Sequence, residues 1–163
     1  EVVYQLTVDF LEAGGDLVYI AEPVSSGDLI SEENFETYAL PYLKKLNDRL
    51  SEKCPYMLLH ICGKTMERID ALKDSGIAIF SVDSLDLEEA LKRAEGKITI
   101  MGMLSPVRVL EKESAGEIYQ KALDLVRTAG LSGGFILAPG CDLTPDTPYE
   151  HIEAMVRAVS GKE

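Results

Sequence analysis

Short apolar runs alternate with longer segments of helical periodicity along the whole chain. The runs at 17–21 (LVYIA), 57–61 (MLLHI), 77–82 (IAIFSV), 98–104 (ITIMGML) and 135–138 (FILA) are aliphatic and nearly continuous. Strands buried on both faces of a parallel sheet read this way, because neither face needs polar positions.

Between the runs, apolar positions recur every three to four residues. Residues 2–13 form an amphipathic pattern that opens the chain on a helix. Phe35, Ala39, Tyr42, Leu46 and Leu50 make a second stripe, which Pro41 should kink or interrupt because proline removes a backbone donor. Further stripes are Met66, Ile69 and Leu72; Leu87, Ala90, Leu91 and Ala94; and Ile118, Ala122, Leu125 and Ala129. Ile152, Met155, Val156 and Val159 complete the series. Two helix starts are marked. Ser114-x-x-Glu117 is a capping box, and Thr147-Pro148-Tyr149-Glu150 combines that spacing with proline at the first helical position.

The predicted order is αβαβαβαβαβα, an α/β chain whose parallel strands are joined by right-handed crossovers. Two architectures fit: an open doubly wound sheet, or an arc of about five β/α units from a (β/α)8 TIM barrel, which typically needs ~250 residues. No glycine-rich dinucleotide fingerprint follows a strand, which weakens the doubly wound reading. No internal linker divides residues 1–163, so they read as a single domain. The chain starts at Glu1 rather than Met, as expected of the C-terminal part of a longer barrel; five of eight strands would leave two unpaired edges.

The residues with chemical potential fall in one place. Glu22 follows the first run, His60 and Cys62 end the second, Asp83 ends the third, Ser105 follows the fourth and Cys141 lies just past the fifth. These are carboxyl ends of strands, where parallel α/β folds build their sites. His60 and Cys62, two apart on an extended segment, project to the same side. With Cys141 they form a possible Cys₂His set, and soft sulfur with imidazole selects zinc over magnesium or calcium. Three protein ligands leave a position open for chemistry. Gly63 and Gly140 would let the backbone turn sharply beside the ligands. Cys54, outside this group, reads as a small buried hydrophobe, His151 as a surface residue, and Met101 and Met103 as core filling. Glu22 and Asp83 suit either structural hydrogen bonding or functional carboxylate roles.

Composition narrows the partners. The formal net charge is −12, so nucleic acid is not an expected partner, since phosphate binding needs a basic face. No apolar run reaches membrane-spanning length. Three cysteines are too few for a disulfide framework, which favours a reducing cytoplasmic setting.

Several stretches together resemble the uroporphyrinogen decarboxylase superfamily, and within it the zinc methyltransferase branch that includes methylcobalamin:coenzyme M methyltransferases. They are Ile20-Ala21-Glu22-Pro23-Val24 with Asp28-Leu29-Ile30-Ser31, Leu59-His60-Ile61-Cys62-Gly63, Phe80-Ser81-Val82-Asp83, and Leu137-Ala138-Pro139-Gly140-Cys141 running on through Pro145-Asp146-Thr147-Pro148. The decarboxylases typically carry Gly-His-Gly where this chain has Gly140-Cys141-Asp142, and they lack the His-x-Cys pair. The resemblance implies the C-terminal portion of a barrel of that type. It also implies zinc on His60, Cys62 and Cys141, with Asp83 able to approach the metal when substrate is absent; Glu22 and Asp83 could then orient ligands or occupy a coordination position. The implied reaction moves a methyl group from methylcobalamin, or from a partner corrinoid protein, to a small-molecule thiol such as coenzyme M. The alternatives are a metal-free decarboxylase of porphyrin biosynthesis and a non-catalytic zinc- or corrinoid-binding module.

Overall fold

The computed structural model describes residues 1–130 and 133–161. Helix α1 (Val2–Glu12) leads into strand β1 (Val18–Ala21) and a 3₁₀ turn at Pro23–Ser25. A short α2 (Glu32–Asn34), a π turn at Phe35–Ala39 and α3 (Leu40–Leu50) follow as one helical stretch. Then come β2 (Met57–Ile61), α4 (Met66–Leu72), β3 (Ile79–Val82), α5 (Leu87–Ala94) and β4 (Thr99–Leu104). A π turn at Pro106–Leu110, α6 (Ala115–Ala129), β5 (Phe135–Pro139) and α7 (Tyr149–Ser160) complete the order.

The sheet order is β1-β2-β3-β4-β5, and every neighbouring pair is parallel. A doubly wound sheet reverses its order at a switch point. Sequential order with right-handed crossovers instead puts successive helices on one side, as in the wall of a barrel. Burial agrees. Leu59, Ile61, Phe80, Val82 and Ile100, on the helix-covered face, are 0 % exposed. On the opposite face, Tyr19 and Ile136 are 53 % and 40 % exposed. The core therefore lies between sheet and helices, where each fully buried aliphatic or aromatic side chain contributes ~1.5–3 kcal/mol. The other face is the inner wall of an incomplete barrel. Met103 is buried as expected, Met101 partly so.

Three sequence expectations change. Pro41 does end a regular helix, but through the π turn before it, which supplies an extra residue where proline cannot donate. That residue rotates the following helix, so Leu43, Asn47 and Leu50 face the core while Tyr42 is 71 % exposed. In α7 the buried stripe is His151, Ala154, Met155 and Ala158, and Val156 and Val159 point outward. The capping box at Ser114 forms in full: Glu117 N–H donates to Ser114 Oγ (3.4 Å) and Ser114 N–H to Glu117 Oε2 (2.9 Å). The one predicted at Thr147 does not, because the helix begins at Tyr149 and Thr147 Oγ1 shares a hydrogen bond with Thr144 Oγ1 (3.0 Å) in the preceding turn. Among the described residues no helix is long and apolar enough to cross a membrane.

Candidate active site at the carboxyl ends of the strands

His60 is the penultimate residue of β2, paired in register with Ala21 on one side and Ser81 on the other. Parallel partners point to the same face, so the imidazole and the Ser81 hydroxyl meet on the inner wall. His60 Nδ1 lies 3.0 Å from Ser81 Oγ. The opposite nitrogen, Nε2, is buried and has no hydrogen-bond partner. Burial, offset in part by the bond to Ser81 and by Asp142 and Asp83, lowers the His60 pKa. The ring is thus biased toward the neutral form, in which one nitrogen keeps a free lone pair. Tyr19, two positions before Ala21, stacks on the ring with centroids 6.3 Å apart and planes 18° apart.

Cys62 lies immediately beyond β2, half-buried and free, and Gly63 follows at φ +75. Cys141 arrives from β5, three strands away. Gly140 shows how. Its N–H donates to the Leu104 carbonyl at the end of β4 (2.9 Å), and its Cα packs on the Asp83 carbonyl at the end of β3, leaving no room for a Cβ. The chain after β5 therefore crosses back over the sheet toward β2. Gly140 is required for this close approach rather than for a positive φ. The Cys141 thiol is half-buried, and burial raises its pKa. A hydrogen bond from the Asp142 backbone opposes that shift, while negative charge at Cys62, Asp142 and Asp83 adds to it. The Tyr19 hydroxyl is raised by burial and then by Asp142, Cys141 and Cys62. His60, Cys62, Cys141, Asp83, Asp142 and Tyr19 thus share one electrostatic neighbourhood.

The side chains are gathered but not closed on a point. Among the described residues, no group of three His, Cys, Asp or Glu is arranged to hold an ion. The donor chemistry nevertheless fits zinc: two thiols without disulfide partners, and an imidazole held at one nitrogen with the other buried and unpaired. An orphaned buried nitrogen costs ~1–3 kcal/mol, which a bound ion would relieve.

Asp83 borders a cavity of about 350 Å³ with Gly63, Lys64, Thr65, Glu67 and Arg108. Glu22 lies elsewhere. Its N–H donates to the His60 carbonyl (2.9 Å), extending the β1–β2 ladder, while the residue lines a separate cavity of about 790 Å³ with Tyr4, Tyr38, Tyr42 and Arg49. Ser105 caps the π turn by accepting from the Arg108 N–H (3.4 Å). Cys54 is buried and donates to backbone carbonyls, as expected of a structural thiol. His151 is buried rather than on the surface, and its Nδ1–H donates to the Leu110 carbonyl (2.8 Å), tying α7 to the π turn. Tyr19, Ser81 and Asp142 are the participants that spacing alone missed.

A barrel arc with thiols and an imidazole at its carboxyl edge places its reactive side chains where α/β barrels build their functional sites. Comparison with known proteins makes the assignment specific. The family model for uroporphyrinogen decarboxylase (URO-D) matches residues 1–161, and the chain belongs to that family. It is 35 % identical over 155 residues to methylcobamide:CoM methyltransferase MtbA of Methanosarcina acetivorans, covering 93 % of this chain and 43 % of that protein. It is 31 % identical over 163 residues to uroporphyrinogen decarboxylase of a Synechococcus species, covering 97 % of this chain and 41 % of the relative. A solved methyltransferase from Methanosarcina mazei superposes with a TM-score of 0.85 at 25 % identity, over 97 % of this chain and 47 % of that one. The chain spans less than half the length of these relatives, and its fold is a partial barrel of the URO-D type.

Proposed function

We propose that residues 1–163 form one domain, the C-terminal part of a longer barrel, and carry the zinc site of a cytoplasmic methyltransferase. The reaction moves a methyl group from a methylated corrinoid, presented by a corrinoid protein or as methylcobalamin, to the sulfur of a small thiol such as coenzyme M. The observation that carries this reading is the buried, unpartnered Nε2 of His60 on the same strand-end edge as two free thiols. The names of the methylcobamide:CoM methyltransferase relatives support the substrate class.

His60, Cys62 and Cys141 would hold the metal, which supplies acidity that keeps a coordinated thiol deprotonated near neutral pH. The chain's own residues prepare the site. Ser81 fixes the imidazole at Nδ1 and leaves the buried Nε2 without a partner, free to take a metal. The Asp142 backbone N–H stabilises sulfur anion at Cys141. Asp83, between the cluster and the smaller cavity, is placed to orient the incoming thiol or to approach the metal when substrate is absent. The Glu22 backbone N–H holds the His60 carbonyl and so steadies the end of β2, while its carboxylate would act from the separate cavity that the residue lines. Tyr19 covers one face of the imidazole and limits water there.

The decarboxylase relative supports a second reading, a tetrapyrrole decarboxylase without metal. Elemental analysis of the full-length protein with a methylcobalamin–thiol assay separates the two. One zinc per chain, lost together with methyl transfer in Cys62→Ala, is the expected result. Cys62→Ala with zinc and transfer both intact would sink the proposal, as would uroporphyrinogen turnover by a metal-free protein. Zinc retained without turnover of any thiol would point to a non-catalytic binding module.

A further inference from the structure

Two loops interlock beside Cys62. After the turn at Pro23–Ser25, the chain makes a tight turn in which Asp28 N–H donates to Ser26 Oγ (3.3 Å) and Ser26 Oγ–H to Asp28 Oδ2 (3.4 Å). The Asp28 carboxylate then reaches across to the segment after β2. Oδ2 accepts the Lys64 backbone N–H (3.0 Å), and Oδ1 lies 3.4 Å from Lys64 Nζ. Gly27 N–H donates to the Lys64 carbonyl (2.8 Å), so the Lys64 peptide is gripped on both sides. Gly63 fits because it has no side chain: a Cβ there would strike Asp28 Oδ2 and lie 2.7 Å from Ser26 Oγ.

Arg68 holds this turn at both ends. The residue is 2 % exposed, Nε donates to the Ser25 carbonyl (3.0 Å) and Nη2 to the Ile30 carbonyl (2.8 Å). Its guanidinium lies 4.7 Å from the centroid of the buried Phe35 ring. A buried guanidinium is costly unless its donors are used, and here they are spent on a loop. That loop's ion pair, Asp28 with Lys64, is with the residue two positions beyond Cys62.

We propose that Asp28 is a positioning residue for Cys62: the 25–30 turn, braced by Arg68, presents the Asp28 carboxylate to the Lys64 amide and so fixes the turn that aims Cys62 at the candidate centre. Only the purpose of the device rests on reading Cys62 as a metal ligand; the positioning itself does not.

The test uses the full-length protein with Asp28→Ala and Asp28→Asn. Both remove the charge, but the asparagine oxygen still accepts the Lys64 amide, so the difference between them reads the hydrogen bond. In metal-free protein, iodoacetamide labelling followed by mass spectrometry should show Cys62 reacting several-fold faster in Asp28→Ala than in Asp28→Asn, with Cys141 unchanged. Zinc affinity, from chelator competition, should fall about 10- to 100-fold in Asp28→Ala, the usual effect of losing a group that orients a ligand. Equal Cys62 rates in the two variants, or a parallel rise at both cysteines, would overturn the proposal. If Asp28→Ala does not fold, Asp28→Ser decides, because its side chain is too short to keep the bond to the Lys64 amide: faster exchange at that amide and faster Cys62 labelling than in Asp28→Asn support the proposal, and equal rates refute it. If the wild type binds no zinc, the metal reading fails while the labelling comparison still judges Asp28.

Discussion

At the scale of single residues, His60 and Ser81 make the clearest case for how much the sequence discloses. That His60, Cys62 and Cys141 share the carboxyl edge of the sheet was legible in the sequence, because each stands at or just past the end of an aliphatic run. Ser81 was not, although it lies two positions before Asp83. Its contact with His60 depends on the β2–β3 register, which only the assembled sheet sets. Tyr19 was hidden for the same reason, since it reads as part of an apolar strand until the open inner wall shows that it faces the site. Gly140 was noticed for the wrong property, as a bend rather than a place where two backbones touch. Ser81→Ala should weaken zinc binding about 10- to 100-fold by freeing the His60 ring, at a stability cost of only about 1 kcal/mol. Chelator competition and urea unfolding on the same variant check the two parts. A loss of stability without loss of metal would make Ser81 a packing residue.

At the scale of elements, periodicity located every strand and the main helices but mistook which way two helices face. The shift in α3 comes from one extra residue in the π turn before Pro41, a defect that no apolar count reveals. In α7 the buried stripe is His151, Ala154, Met155 and Ala158, and Val156 and Val159, two of the four residues the pattern picks out, lie outside it. Capping was more legible where hydroxyl and carboxylate bracketed a clean start. Ser114→Ala should cost about 1 kcal/mol, read as a lower urea midpoint, and leave the metal site untouched. The helix ends also predict acid sensitivity. Glu117 is held below the ordinary carboxylate range by the Ser114 hydroxyl and amide, Asp74 by its hydrogen bond to Lys97, and Glu95 by that to Lys73. A carboxylate with a depressed folded pKa adds stability that is complete above its unfolded value, about 4, and is lost as pH falls through the folded one. The urea midpoint should therefore be insensitive to these groups between about pH 5 and 7 and decline below about pH 4. Glu117→Gln should make that decline shallower; an unchanged slope would show that the capping carboxylate carries none of it.

At the scale of the whole molecule, the sequence left an open sheet and a barrel arc in competition, and strand order decides for the arc. Both flanks of that arc are apolar. Val2, Leu6 and Phe10 of α1 are 72 %, 64 % and 55 % exposed, and Tyr149, Val156 and Val159 of α7 are 77 %, 61 % and 60 % exposed. Stripes of this size on free helices mark surfaces that are normally covered. Leu6→Glu should accordingly raise the solubility of residues 1–163 expressed alone, yet lower the thermal stability of the full-length protein. A neutral effect on the full-length protein would mean that α1 is not covered there. Sequential strand order has a further consequence, for the order of events during synthesis. Each strand pairs with the unit made just before it, so the arc can grow unit by unit as the polypeptide emerges. The proposed donor set of His60, Cys62 and Cys141 cannot grow that way. Two of its members leave the ribosome with β2, and the third only after β5 has docked and the loop at Gly140 has folded back across β4. A nascent chain halted before β5 would hold a four-stranded arc but lack Cys141, so on the proposed zinc reading capture of the metal would register that the last unit is in place.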